Sequence, residues 1–239
     1  MSQPGARTNL FRNILVWDVP TRVFHWLLAL SFGGAFLTSE SERYRDIHVV
    51  LGYTLLGLIA FRLLWGFFGT RYAQFRSFLF KPGEIVAYLL SLLKGKPAHY
   101  IGHNPVGSVA IWLLLALGIS AGVTGVMLFQ DIGGDALEEL HEFAASAMLA
   151  VVLIHIAGVM VSSVLHRENL VRSMVTGFKR VPGQEFSVSA KPEGGVRSSH
   201  AWLGVIMLVA VVTFWVGYPA TGLVTPGADT THAGQRDDD

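Results

Sequence analysis

Four of the nine histidines lie in or beside long apolar stretches of the chain. They are His25, His48, His141 and His155. An imidazole that has neither a hydrogen-bond partner nor a metal is costly in an apolar environment, so each of these side chains needs a bonding partner. A hydrogen bond between helices, worth about 1 kcal/mol, would explain any one of them alone. Four such residues in one chain require a common explanation.

The stretches around these histidines have the length of membrane spans. Apolar residues make up 51% of the chain and charged residues 15%, and the mean hydropathy is +0.47, which is far from the balance of a soluble globular protein. Windows of roughly 18 to 25 apolar residues can each cross a hydrocarbon core about 30 Å thick. We place such windows at 21–39, 47–68, 106–129, 143–165 and 201–219. The sequence therefore predicts an all-α membrane protein.

Basic and acidic residues lie in different connections between the spans, and this distribution predicts how the protein is oriented in the membrane. The N-terminal arm, the 68–105 connection and the segment after the fourth span are rich in Lys and Arg, whereas the 130–142 connection is acidic. Because basic connections stay in the cytoplasm, we expect a multi-pass protein of the bacterial inner membrane with a cytoplasmic N-terminus and a periplasmic C-terminus. Residues 181–200 would form a cytoplasmic linker and 220–239 a polar periplasmic tail. The net charge of +1 gives no indication of nucleic-acid binding.

The order and spacing of the four histidines sort them into two pairs by depth. His25 lies early in the first span, which starts inside, and His48 opens the second span, which starts outside. His141 and His155 are 14 residues apart on the fourth span. That separation is roughly 21 Å of helix and close to four whole turns, so both rings leave the same helix face. The sequence predicts an outer pair, His48 with His141, and an inner pair, His25 with His155.

Two histidines at one depth suit haem better than other metal centres. Zinc needs three or four protein ligands, and the chain has no cysteine that could provide a thiolate or a thioether bond. Haem iron needs only axial ligands from the protein. Haem propionates are anions that bind arginine or lysine near the membrane surfaces. The candidates are Arg22, Arg45 and Arg62, although each could equally be an ordinary charge at the membrane surface.

Five motifs resemble those of the bacterial cytochrome b561 and nickel–iron hydrogenase b-type cytochrome superfamily. They are "VWDVPTRVFHW", "RDIHVVLGY", "GHNPVG", "LHEFAASAMLAVVLIHIAG" and "ENLVRSMVTGF". The resemblance covers residues 10–180 and implies a four-helix transmembrane bundle that binds two b-type haems (iron protoporphyrin IX), held non-covalently. By this resemblance His25 and His155 ligate one haem, and His48 and His141 the other. The resemblance gives no role to the fifth span, 201–219, which we expect either to pack on the bundle or to dock a partner.

The resemblance also implies a function in electron transfer. Electrons would pass between quinone or quinol in the membrane lipid and a periplasmic redox protein, such as cytochrome c or a dehydrogenase-like or hydrogenase-like subunit. The protein would then be an electron carrier or the membrane subunit of an oxidoreductase. One alternative is a superoxide:quinone oxidoreductase of the cytochrome b561 type. An alternative of another class is a haem-free transporter whose histidines relay protons.

Two segments between the spans carry their own predictions. Residues 81–97 place apolar side chains on one helix face, which predicts an amphipathic helix, either on the cytoplasmic membrane surface or packed against the protein. Asn104 and Pro105 predict the start of the third-span helix. His103, directly before them, would belong to that start or lie near a quinone headgroup. The histidines outside the spans are expected to be solvated; they are His99, His166, His200 and His232.

Overall fold

Helices make up most of the protein. The computed structural model describes residues 11–95, 97–182 and 195–220. Its elements are, in chain order, β1 (Phe11–Leu15), α1 (Val19–Thr38), α2 (Arg45–Phe68), α3 (Pro82–Leu93), α4 (Pro105–Phe129), α5 (Asp135–Leu165), α6 (Leu170–Thr176), β2 (Phe178–Pro182) and α7 (Ala201–Gly217). Single 3-10 turns lie at Glu42–Tyr44, Phe75–Phe78 and Tyr218–Ala220. Most of the predicted linker and nearly all of the predicted tail, including His232, lie outside the described residues.

Asp18 fixes the start of the first long helix and joins it to the end of the second. Its Oδ1 accepts a hydrogen bond of 2.8 Å from the backbone N–H of Thr21, which makes Asp18 the N-cap of α1. Its Oδ2 accepts from Trp65 Nε1 at 3.1 Å and from Thr70 Oγ1 at 2.6 Å. The carboxylate is fully buried, so these three donors replace the water that it loses. These contacts therefore fix the start of α1 relative to the end of α2.

The predicted helix starts in the middle of the chain are confirmed. Asn104 Oδ1 accepts from the backbone N–H of Gly107 at 2.7 Å and Pro105 is the first residue of α4, as the sequence indicates. The amphipathic helix predicted within 81–97 is α3 (Pro82–Leu93), which packs on α4. Tyr88 on the inward side of α3 is buried, whereas Leu89 and Leu93 are exposed.

Helices α1, α2, α4 and α5 share one apolar core. Helix α2 packs on both α1 and α4, and α5 packs on α4. The core side chains include Phe32 of α1, Leu55 and Ile59 of α2, Leu115 of α4 and Met148 of α5. In contrast, α1 and α5 have almost no direct contact with each other. The two helices that carry His25 and His155 are thus held apart by their neighbours.

Three of the predicted spans are confirmed as helices long and apolar enough to cross a membrane. They are Glu42–Phe68, Pro105–Phe129 and Asp135–Leu165. The first and fifth predicted spans are also helical: α1 has 20 residues and α7 is a shorter apolar helix of 17. The chain is therefore mostly helical, with candidate membrane-spanning helices, while the arrangement of four spans plus one stays a prediction.

Two sequence predictions need correction. The fold is not entirely α-helical, because β1 and β2 form a two-stranded antiparallel sheet in which Leu15 lies opposite Phe178. The acidic connection predicted at 130–142 is much shorter, since α5 already begins at Asp135. Acidic side chains in the first turn of a helix are favourable because they face its positive dipole end, so this acidic run starts a helix. His141 consequently lies within α5, in its second turn.

Candidate functional site

The predicted outer histidine pair comes together between α2 and α5. The ring centres of His48 and His141 are 6.3 Å apart, with an angle of 74° between the ring planes. Metal-to-imidazole bonds are about 2.0 Å long and each nitrogen lies about 1 Å from its ring centre, so two rings that ligate one metal from opposite sides have centres roughly 6 Å apart. The observed separation fits a single iron atom between the two imidazoles.

Backbone carbonyls determine which nitrogen of each outer ring is available. His48 Nδ1 lies 2.8 Å from the carbonyl oxygen of Ala35, and His141 Nδ1 lies 3.0 Å from that of Ala121. A carbonyl oxygen can only accept, so each Nδ1 carries the proton and donates it. The lone pair of each imidazole is therefore on Nε2. Such hydrogen bonds orient metal-binding histidines and raise their basicity.

Small residues make room at the outer pair. A cavity there is lined by both histidines together with Gly52 of α2 and Gly125 of α4. A Cβ atom at Gly125 would lie 2.9 Å from Cε1 of His141, whereas one at Gly52 would have nothing within 4 Å. Glycine at 125 thus permits the position of the His141 ring, and glycine at 52 leaves open space beside the pair.

The inner pair is separated by the space between α1 and α5. His25 Nδ1 is buried and has no hydrogen-bond partner, and no side-chain hydrogen bond of His155 is found in the described part of the chain. The ring of Trp26 makes an edge contact with the His25 ring, with centres 5.1 Å apart. A buried imidazole without a partner is costly, and this one fits a site that a bound group completes.

The three predicted arginines differ in how available their N–H donors are to bind an anion. Arg62 on α2 is only 4% exposed and its Nη1 is buried without a hydrogen-bond partner. Its guanidinium lies over the rings of Phe75 and Phe78, at 5.1 and 5.6 Å from their centres. The Asp18 carboxylate acts on this cation only from a distance, without a direct ion pair. A buried cation without a direct partner is destabilising, so Arg62 is the arginine that most requires an anionic partner.

The other two arginines are partly engaged. Arg22 Nη1 donates to the carbonyl of Val175 at 2.6 Å, while its Nε is buried without a partner. Arg45 is exposed at the start of α2, with its guanidinium 6.0 Å from the ring centre of Phe129. The structure therefore leaves Arg22 donors available and keeps Arg45 at the surface, one turn before His48.

His103 lies close to the inner pair, and its surroundings were not evident from the sequence. Its ring sits between Trp17 and Phe78, with centre separations of 4.7 and 4.9 Å, and its Nδ1 is buried without a partner. Burial, followed by the positive charges of Arg62 and Lys179, lowers the pKa of His103 to about 3. His103 is thus a neutral imidazole near the inner pair of histidines. In the sequence, the one signal for a role of His103 is its position in the "GHNP" motif.

A second polar group that the sequence did not reveal lies beside His103. Lys179 of β2 is 5% exposed, its Nζ is 3.8 Å from Glu168 Oε2 and it donates to the carbonyl of Tyr100 at 3.5 Å. His99 Nε2 is 3.3 Å from the same carboxylate oxygen. Burial lowers the pKa of the Lys179 ammonium, which the nearby carboxylate partly opposes. His99 is exposed, as expected for a solvated side chain, and its ring is also paired with this carboxylate.

The candidate site consists of four histidines, of which His48 and His141 are brought together. Within the described ranges, no three His, Asp or Glu side chains converge as a ligand set for a bare metal ion. Histidines on different helices of an apolar bundle, two of them with ring centres 6.3 Å apart, are the arrangement expected of a membrane-embedded b-type cytochrome.

Comparison with known proteins identifies the family. Residues 16–177 match the family model described as prokaryotic cytochrome b561, and the chain belongs to this family. It is therefore a b-type cytochrome of the membrane that binds haem b and transfers electrons. The matched region ends before α7, so this helix lies outside the part of the chain that the family model describes.

Curated relatives agree with this family. Proteins named "probable Ni/Fe-hydrogenase B-type cytochrome subunit" from Rhodobacter capsulatus and Azotobacter vinelandii are each 24% identical to the chain over 213 and 214 residues. These matches cover 70% of the chain and 81% and 88% of the two relatives. A protein of the same name from Rhizobium leguminosarum bv. viciae is 23% identical over 215 residues. No solved structure matches the chain significantly.

Proposed function

We propose that the protein is a di-haem cytochrome that carries electrons across the bacterial inner membrane, between the quinone pool and a redox protein on the periplasmic side. The observation that carries this proposal is the outer pair, whose ring separation of 6.3 Å fits one iron atom. His48 and His141 would be the axial ligands of the outer haem, and His25 and His155 those of the inner haem. The 14-residue spacing on α5 puts the two levels roughly 21 Å apart.

In this proposal the bound haems supply reversible one-electron redox chemistry, and the chain supplies ligation, orientation and insulation. The carbonyls of Ala35 and Ala121 hold the outer rings with Nε2 free. With two histidines holding each haem, the group would supply electron transfer rather than chemistry at an open iron site. The apolar core excludes water, and Arg62 would neutralise a propionate near the inner haem.

The relatives support a proposal for the outer partner. Their names associate them with a Ni/Fe-hydrogenase, and by analogy this chain would accept or deliver electrons as the membrane subunit of a periplasmic oxidoreductase. Cytochrome c is a second candidate for the outer partner. The superoxide alternative would need a basic surface over the outer pair, whereas Glu138, Glu139 and Glu142 surround His141 along α5. Membership of a haem-binding family favours the electron carrier over a haem-free transporter.

Separate removal of the α5 histidines tests the pairing. We expect His141→Ala and His155→Ala each to lose one b haem, and the remaining haem to titrate at a different midpoint potential in the two variants. His99→Ala, which removes a histidine outside the bundle core, serves as the control and should keep both haems. Pyridine haemochrome assays and potentiometric titrations provide the measurements. Loss of the same haem from both α5 variants would contradict the assignment.

A further inference from the structure

Helix α3 presents an apolar stripe that the described part of the protein leaves uncovered. The stripe consists of Val86, Leu89, Leu90 and Leu93, whose exposed fractions are 56%, 48%, 49% and 78%. These residues recur at intervals of three and four, so they lie on one face of the helix along about 10 Å. A continuous row of exposed apolar side chains indicates a surface that binds another apolar surface.

The opposite face of α3 is fixed to the bundle. Tyr88 is buried, its ring makes an edge contact with the ring of Tyr100 at 5.5 Å, and its hydroxyl lies beside Ser162 of α5. The first turn of α3 is fixed as well, because the Glu84 carboxylate accepts from the backbone N–H of Lys81 at 2.7 Å. The protein itself therefore determines the direction in which the apolar stripe faces.

The contact with α5 gives the depth of α3. Ser162 is buried, whereas Val161 and Val164 beside it are 50% and 75% exposed, and α5 ends at Leu165. Exposed apolar side chains on a membrane-spanning helix contact the acyl chains of lipids. Helix α3 therefore lies where the lipid-facing surface of α5 ends, which is the level at which hydrocarbon gives way to headgroups.

The residues around the stripe are cationic. Lys81 and Lys94 flank α3 at its two ends, Arg71 and Arg76 precede it, and all four side chains are exposed. The sequence from 71 to 94 has a single acidic residue, Glu84, whose carboxylate is used at the start of the helix. An apolar helix face with basic side chains at its ends is complementary to an anionic lipid surface, because acyl chains take up the apolar residues and phosphates attract the basic ones.

We propose that α3 is an interfacial helix that binds anionic phospholipid, with the apolar stripe among the acyl chains and the ammonium groups of Lys81 and Lys94 on the phosphates. The basic connections predict that this lipid belongs to the cytoplasmic leaflet. The inference goes beyond electron transfer and does not depend on the pairing of the histidines. It gives the 68–105 connection a binding role of its own, at the end of the bundle where α4 begins and α5 ends.

Fluorescent labels at two positions of α3 test this inference. Because the chain has no cysteine, Leu89→Cys and Ala87→Cys each provide a single site for a bimane label. Both positions are exposed, but on the helix they point in directions about 160° apart, and only Leu89 belongs to the stripe. The full-length, haem-loaded protein is placed in nanodiscs of equal parts phosphatidylcholine and phosphatidylglycerol, one of which carries bromine on its acyl chains as a quencher.

We expect brominated phosphatidylglycerol to quench the label at 89 at least twofold more than brominated phosphatidylcholine does. The label at 87 should instead be quenched mainly by iodide in the water. Replacing both lysines, with Lys81→Gln and Lys94→Gln, should bring the ratio of the two lipid quenchers at 89 close to one. All variants should keep the haem content of the unaltered protein, since none of them alters a proposed ligand.

Three results would overturn the inference. Equal quenching by the two brominated lipids with both lysines present would show that the site does not select anionic lipid. Quenching of the label at 89 by iodide alone would place the stripe in water. Protection of this label from lipid and iodide alike would show that protein, such as a second copy of the chain, covers the stripe. Each result is independent of the number of haems, so the proposed function would stand or fall separately.

Discussion

At the scale of residues, the outer pair is held by contacts with two neighbouring helices, one of which contributes a glycine. The carbonyls that accept from His48 and His141 belong to Ala35 and Ala121, on α1 and α4. Each ring is thus oriented by a helix other than its own. The sequence predicted the histidines because their side chains are polar within apolar spans, but it could not predict these carbonyl partners, since every residue of a helix carries the same backbone group.

Gly125→Ala tests whether the position of the His141 ring depends on the space beside it. A methyl group at 125 would lie 2.9 Å from the ring and push it from its place. We expect lower occupancy of the outer haem, or a shift in its midpoint potential, with the inner haem unchanged. Gly57→Ala, where the added carbon would have nothing within 4 Å, is the control and should leave both haems as they are. Equal behaviour of the two variants would show that the ring is not confined by Gly125.

The buried imidazole of His103 predicts a pH dependence of stability. Its pKa is lowered to about 3 in the folded protein, against about 6.5 in an unfolded chain. Between these values the unfolded state binds the proton and the folded state does not, so stability falls as the pH falls from about 6.5 toward 3, by up to roughly 1.4 kcal/mol per pH unit. His103→Gln should reduce this slope in thermal unfolding between pH 6.5 and 4.5. An unchanged slope would contradict the prediction.

At the scale of elements, the helices that hydropathy predicts are present and their ends are set by short polar contacts. Asn104 and Pro105 begin α4 as expected, because cap residues act on their own helix. The start of α5 was predicted too late, because acidic residues favour both a loop and a first helical turn. The β1–β2 pair was not predicted, since it joins segments more than 160 residues apart whose pairing depends on the folded bundle.

Asp18→Ala should destabilise the junction between α1 and α2 more than the loss of a cap alone. It removes an N-cap and the acceptor of two buried donors on Trp65 and Thr70, at a cost of roughly 2 to 4 kcal/mol. Asn169→Ala removes only the local cap of α6 and should cost about 1 kcal/mol. Chemical unfolding of the purified proteins would compare them. An equal loss in both variants would contradict the role of Asp18 as a junction.

At the scale of the whole molecule, the proposed pairing of histidines at two depths rests on a pattern that the sequence alone displays. The 14-residue spacing on α5 is a property of one helix and needs no tertiary information. The ion pair between Glu168 and Lys179 and the approach of α7 at Gly204 depend on how distant segments meet. These tertiary contacts could not be predicted from the sequence, because no local pattern indicates which distant segments will pack together.

The number of b haems per polypeptide distinguishes a two-level histidine site from a single haem site. The purified full-length protein is assayed for haem b by the pyridine haemochrome method and for polypeptide by quantitative amino-acid analysis. Two histidine pairs predict two haems per chain, seen as two components in a potentiometric titration. A fully occupied preparation with one haem per chain and a single component would contradict the paired, two-level site.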